Sequence, residues 1–136
     1  MAELDCEILT PGGRVFEGRA QMVVVPGAEG ELGVLPRHAP IIARLKVGEV
    51  RVKLEGNEWR SWAINEGYFK MQFDKATVLV EDADAASDID VEAAKADAEN
   101  ARARLAEAAG GESELDRYRA ERDLLYAENR IRIAGR

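Results

Sequence analysis

A chain of 136 residues with 46% hydrophobic and 33% charged content has room for one modest core and a small appendage, not for two full enzyme domains. Its net charge of -7 argues against a nucleic-acid partner, because phosphates call for clustered Lys and Arg, and it points to protein surfaces that are neutral or basic. The single cysteine, Cys6, excludes an intrachain disulfide, and with no charged-then-apolar leader the chain is expected to stay in a reducing compartment.

From Glu3 to about Glu81 the apolar residues recur with a period of two, as on one face of successive strands. Cys6 alternates with Leu4 and Ile8 and is expected in the core. The run MVVV, Met22 to Val25, is far short of a membrane span. Between two strands lies GELGVLPRHAP, Gly30 to Pro40, which carries two glycines, two prolines and the only histidine. Further on, Val50, Val52 and Leu54 alternate with charged residues until the turn signal Gly56-Asn57, and Asp74-Lys75 separates Phe69, Met71 and Phe73 from Val78 and Val80. Short strands, close turn signals and no intervening helix predict an antiparallel sandwich or barrel over residues 1–84.

Past Ala83 the period becomes helical. Val91, Ala94, Ala98, Ala101, Leu105 and Ala108 form one heptad seam, and Ala120, Leu124, Ala127, Ile131 and Ala134 form a second. Ser87 with Asp90 and Ser113 with Asp116 are candidate starts, because such side chains accept an otherwise orphaned backbone N–H, and Gly110-Gly111 is a candidate stop. Helices over about 88–109 and 113–134, joined by a short glycine turn, predict an antiparallel hairpin over 85–136. The chain is thus α+β by segments, a β-sandwich followed by a two-helix hairpin. Alanine fills most of both seams, and each Ala in place of a well-packed Leu forgoes ~2 kcal/mol of apolar burial. A hairpin held so lightly is expected to be mobile, its position decided by the surface on which it docks.

Little in the chain suggests catalysis. His38 is the only histidine, Cys6 the only thiol, and the serines are Ser61, Ser87 and Ser113, none within a nucleophile signature. The acidic run EDADAASDID, Glu81 to Asp90, fails as a calcium loop: Ala86 stands at the third ligand position, the turn glycine is missing and Ala93 stands where a glutamate would close it. GAEGELG, Gly27 to Gly33, is followed by no helix and reads as turns rather than a phosphate cradle. Residues 112–136 hold six basic and six acidic residues, and Arg117, Arg119, Arg122, Arg130 and Arg132 are open either to solvated pairing or to an acidic partner.

GELGVLPRHAP, ARLKVGEVRV from Ala43 to Val52, NEGYFKM from Asn65 to Met71, ATVLVEDA from Ala76 to Ala83 and the closing hairpin together resemble the epsilon subunits of F-type, proton-translocating ATP synthases. The resemblance spans nearly the whole chain, with one departure at Glu66, where the family usually has the first of two glycines. It implies a non-catalytic subunit of the rotating central stalk, on the cytoplasmic side of an energy-transducing membrane that it meets only through the complex. The sandwich would bind the gamma subunit and rest on the ring of c subunits through Glu29, Gly30, Glu31 and Leu32 and through Arg37, His38, Ala39 and Pro40. The hairpin would fold compactly or extend into the catalytic alpha/beta head, where Arg117, Arg119, Arg122, Arg130 and Arg132 would restrain ATP hydrolysis. Some relatives bind ATP through Ile-Asp-x-x-Arg-Ala and arginines of the second helix. Here Ile89, Asp90, Ala94 and Arg130 remain, while Ala93 replaces the motif arginine beside the acidic Glu92 and Tyr126 replaces a second arginine. Weak or absent ATP binding, and no cofactor, is the expectation. An alternative of another class is a free-standing small-ligand sensor whose hairpin closes over the sandwich; it would be a monomer with a ligand-dependent melting temperature rather than a partner of gamma.

Overall fold

The structure, a computed structural model, describes residues 2–108 and 113–135. The strands are β1 Leu4–Thr10, β2 Gly13–Ala20, β3 Met22–Gly27, β4 Gly30–Val34, β5 Ile41–Leu45, β6 Gly48–Lys53, β7 Trp59–Ile64, β8 Gly67–Gln72, β9 Lys75–Val80 and β10 Ala83–Ala85. The helices are α1 Val91–Ala108 and α2 Glu114–Ala134. The sheet runs β10-β7-β6-β3-β5-β8-β9-β1-β2, with β4 paired to β3 alone. Its two ends approach each other, since Phe16 of β2 lies against Trp62 of β7 with ring centroids 4.7 Å apart. A sheet so wrapped puts the alternating side chains of every strand into one core.

That core is the one the alternation pointed to. Leu4, Cys6 and Ile8, then Val50 and Val52, then Phe69 and Met71, are all fully buried. All pairings are antiparallel except one, β1 with β9, which runs parallel from Asp5↔Lys75 to Leu9↔Leu79. Hairpin turns fix only neighbouring strands, so the sequence gives no sign of this pair, whose strands are joined through the rest of the sandwich. Gly67 stands where a Cβ would lie 2.0 Å from the Leu79 carbonyl oxygen, so β8 and β9 reach their register only with glycine there. The turn between them is Phe73-Asp74, one residue earlier than Asp74-Lys75. Gln72 pairs with Lys75, which leaves Phe73 and Asp74 as the two central residues, both with positive φ, 52° and 55°.

Asp90, not Ser87, caps α1. Its Oδ1 accepts the Ala93 N–H at 3.1 Å, while Ser87 sits in a short 3-10 turn, Ala86–Asp88. Ser113 caps α2 as expected, accepting the Asp116 N–H at 3.1 Å. The stop expected at Gly110-Gly111 lies outside the described residues. Ala94, Ala98 and Ala101 of α1 and Ala120 and Ala127 of α2 are buried, so the two seams face each other in a close-packed hairpin. No helix among the described residues is long and apolar enough to cross a membrane.

Candidate functional site

The hairpin lies against the sandwich through α2, and the contact is more polar than its seams. Tyr126, Asn129 and Ile133, spaced three and four apart, form the docking face. Tyr126 and Ile133 pack with Ala63 of β7, flanked by Val47, Ala86 and Ile89. The Asn129 side-chain amide, 1% exposed, donates to the Gly48 carbonyl at 2.7 Å. A Cβ at Gly48 would stand 2.6 Å from Pro26, so glycine keeps this strand end close to β3. The Tyr126 hydroxyl donates to Asp84 Oδ2 at 2.9 Å. Burial raises the Tyr126 phenol far above its usual range, with the Asp84 carboxylate adding to the effect, so it keeps the proton that it donates to Asp84.

Arg130 completes the network. Its guanidinium reaches Asp97 of α1 at 2.6 Å and Asp84 of β10 at 3.6 Å and stacks over the Tyr126 ring at 5.0 Å. One residue thereby links α1, α2 and the last strand of the sheet. Near the other end of α2 the Tyr118 hydroxyl donates to the Glu66 carboxylate, which raises the pKa of Tyr118. The departure at Glu66 thus has a partner in the hairpin. Asn65 beside it is fully buried, its amide donating to Asp82 Oδ2 at 2.9 Å and its Oδ1 accepting the Glu66 N–H at 2.8 Å. Between hairpin and sandwich lies a cavity of about 470 Å³ lined by Glu81, Asp82, Asp84, Asp97 and Asp123 against only Arg104 and Arg130. Both arginines are already paired, Arg104 with Asp123 at 2.8 Å.

The residues of the nucleotide-like motif all have structural work. Ile89 packs on the docking face, Asp90 caps α1, Ala94 is buried under α2 and Arg130 is held by carboxylates. The five arginines of α2 divide. Arg117 and Arg119 are exposed and without an ion-pair partner among the described residues, Arg122 and Arg130 are half-buried, and Arg132 donates to Asn129 Oδ1.

The remaining candidates lie on the sandwich. Glu29, Gly30, Glu31 and Leu32 form one wall of a groove of about 550 Å³ whose other wall is Ile41 to Arg44. Arg37, His38, Ala39 and Pro40 lead directly into that second wall. His38 Nδ1 donates to the Ala39 carbonyl at 2.7 Å, and the Arg37 N–H donates to Asp74 Oδ1 at 2.6 Å with Arg37 at φ 68°. The loop is braced by its own backbone and by the β8–β9 turn.

Known proteins match both halves. The family model described as ATP synthase, Delta/Epsilon chain, beta-sandwich domain covers residues 3–86, and the one described as ATP synthase, Delta/Epsilon chain, long alpha-helix domain covers 87–135. The chain belongs to the ATP synthase delta/epsilon family. Within it, the ATP synthase epsilon chain of Halalkalibacterium halodurans is 43% identical over the full length of both chains. The ATP synthase epsilon chain of Desulforamulus reducens is 42% identical over 94% of each. In fold, the epsilon-family chain resembles a chain of the Euglena gracilis mitochondrial ATP synthase structure, with a TM-score of 0.74 at 21% identity over 95% of this chain and 79% of that one.

Sequence reasoning missed the docking face of this member of the delta/epsilon family. Its spacing was available, but Asn129 in the middle reads as a solvent residue until the Gly48 carbonyl is placed opposite it.

Proposed function

We propose that the chain works as a non-catalytic subunit of the ATP synthase central stalk, with the sandwich as anchor and the hairpin as a releasable brake on ATP hydrolysis. The sandwich binds gamma and meets the ring of c subunits through the Glu29–Leu32 hairpin and the Arg37–Pro40 loop, on the cytoplasmic side of the membrane. The hairpin, once released, carries the α2 arginines into the alpha/beta head. The observation that supports this reading most is the way the hairpin is held. Its helices meet each other along alanine seams, and its grip on the sandwich comes through α2, from Tyr118, Tyr126, Asn129, Ile133 and Arg130. A small apolar footprint with a few directional bonds gives a docked state of modest stability, which a competing partner for the same helix can overcome. Release parts Arg130 from Asp84 of the sandwich, the only one of its two carboxylate partners that lies outside the hairpin among the described residues.

ATP does not hold this hairpin closed. The cavity between hairpin and sandwich presents five carboxylates, and a phosphate there would have to displace Asp123 from Arg104 and Asp97 and Asp84 from Arg130.

The test titrates epsilon-free synthase head, containing gamma, with the full chain and with residues 1–87. Both should bind, and only the full chain should slow ATP hydrolysis. Equal slowing by the two would remove the brake from the hairpin.

A further inference from the structure

Phe73 is 90% exposed, the most exposed large hydrophobic residue among those described, and stands at φ 52° in the tip of the β8–β9 turn. A bulky side chain is poorly suited to the left-handed region, where Gly or Asn would fit, and an exposed ring gains nothing from the core. The fold does not use it. The turn is nevertheless held firmly: the Asp74 side chain accepts the Arg37 N–H at 2.6 Å, and the Asp74 carbonyl accepts the Asp5 N–H at 2.8 Å. The first of these bonds ties the aromatic tip to the Arg37–Pro40 loop. The β5–β8 register ends at Ile41↔Met71, and continued by two residues it sets Ala39 opposite Phe73. Around that loop Leu35 and Ile42 are also exposed, at 56% and 75%.

We infer that Phe73 is an anchor of the contact with the ring of c subunits, an aromatic tip seated in an apolar recess of the ring's loops and aimed by the Asp74–Arg37 bond. This rests on the ring-facing role proposed for the Arg37–Pro40 loop, with which the tip is continuous. Unpaired apolar side chains on a rigid, strained turn are what a recognition surface requires, because little freedom remains to be lost when the contact forms. An aromatic anchor buried at the centre of such a contact typically dominates its affinity.

The test measures binding of the full chain and of Phe73→Gly to two epsilon-free assemblies, the whole synthase with its ring and the soluble head with gamma but no ring. Glycine accepts the positive φ, so the variant should fold with a melting temperature no lower than the parent. The expected result is about tenfold weaker binding to the ring-containing assembly and unchanged binding to the ringless one. Equal binding of parent and variant to both overturns the inference while leaving the ring-facing role intact. Equal binding of the parent to both assemblies instead overturns the ring-facing role itself. Weakening in both places Phe73 on gamma, and Phe73-dependent binding to ring-free vesicles of anionic phospholipid places it on lipid; either result overturns the proposal. Phe73→Leu, which keeps an apolar tip, should recover most of the affinity, and its failure to do so while folded would show that an apolar recess is not what the tip meets.

Discussion

Cys6 shows how far a single residue follows from its neighbours in sequence. Alternation with Leu4 and Ile8 places it inside, and burial, reinforced by the adjacent Glu7 carboxylate, pushes its thiol up from 9.0 to about 12. The folded state then keeps a proton that the unfolded chain gives up. The stability it contributes is present below the unfolded value and is lost as pH rises from about 9 toward 12, by roughly 1 kcal/mol per pH unit. Cys6→Ala should therefore flatten the alkaline fall in melting temperature, and the native thiol should resist alkylation. The slope, rather than the absolute stability, decides, since the substitution also leaves a small cavity. An unchanged slope would place Cys6 in a wetter site than its packing indicates. Phe73 is the opposite case. Nothing in its residue type marks a left-handed turn, and only the register of β8 against β9 puts it there.

At the scale of elements, period two and the helical heptads carried most of the fold into view, because both are set by which face must leave water. What stayed hidden depends on distant chain. The parallel β1–β9 pair has no local turn to announce it, and Asp90 displaced Ser87 as cap because the intervening residues take a 3-10 turn before α1 begins. The docking face of α2 was hidden for a chemical reason. Asn129 is polar, and its burial makes sense only once the Gly48 carbonyl is set opposite its amide as an acceptor. Removing that donor loses one buried hydrogen bond between α2 and the sandwich and costs about 1 kcal/mol of docking. In Asn129→Ala the amide protons of α2 should exchange faster while those of β1 and β9 keep their protection. ATP should not restore α2 protection, given the carboxylates of the neighbouring cavity. Restoration by ATP would show that a nucleotide, not the Arg130 network, closes the hairpin.

For the whole molecule, the division of labour follows from how each half is stabilised. The sandwich has a continuous core from β1 to β9 and presents braced loops, including the Arg37–Pro40 segment and the Phe73 tip, at its surface. The hairpin has small seams, a narrow footprint and an ionic link that closes over Arg130. A rigid anchor and a lightly held arm make a switch when a partner binds the arm's released form better than its docked form. The chain belongs to the ATP synthase delta/epsilon family, and in the function proposed above that partner is the alpha/beta head. The most direct measurement joins the arm to the anchor covalently. Tyr118 and Glu66 touch across the docked interface, so cysteines introduced at both positions in a Cys6→Ala background accept a short bismaleimide link. The linked chain should still bind the epsilon-free head and should no longer slow ATP hydrolysis, while the same variant without the link slows it. If the linked chain binds and inhibits as strongly as the unlinked one, the hairpin acts without leaving the sandwich and the switch described here does not operate.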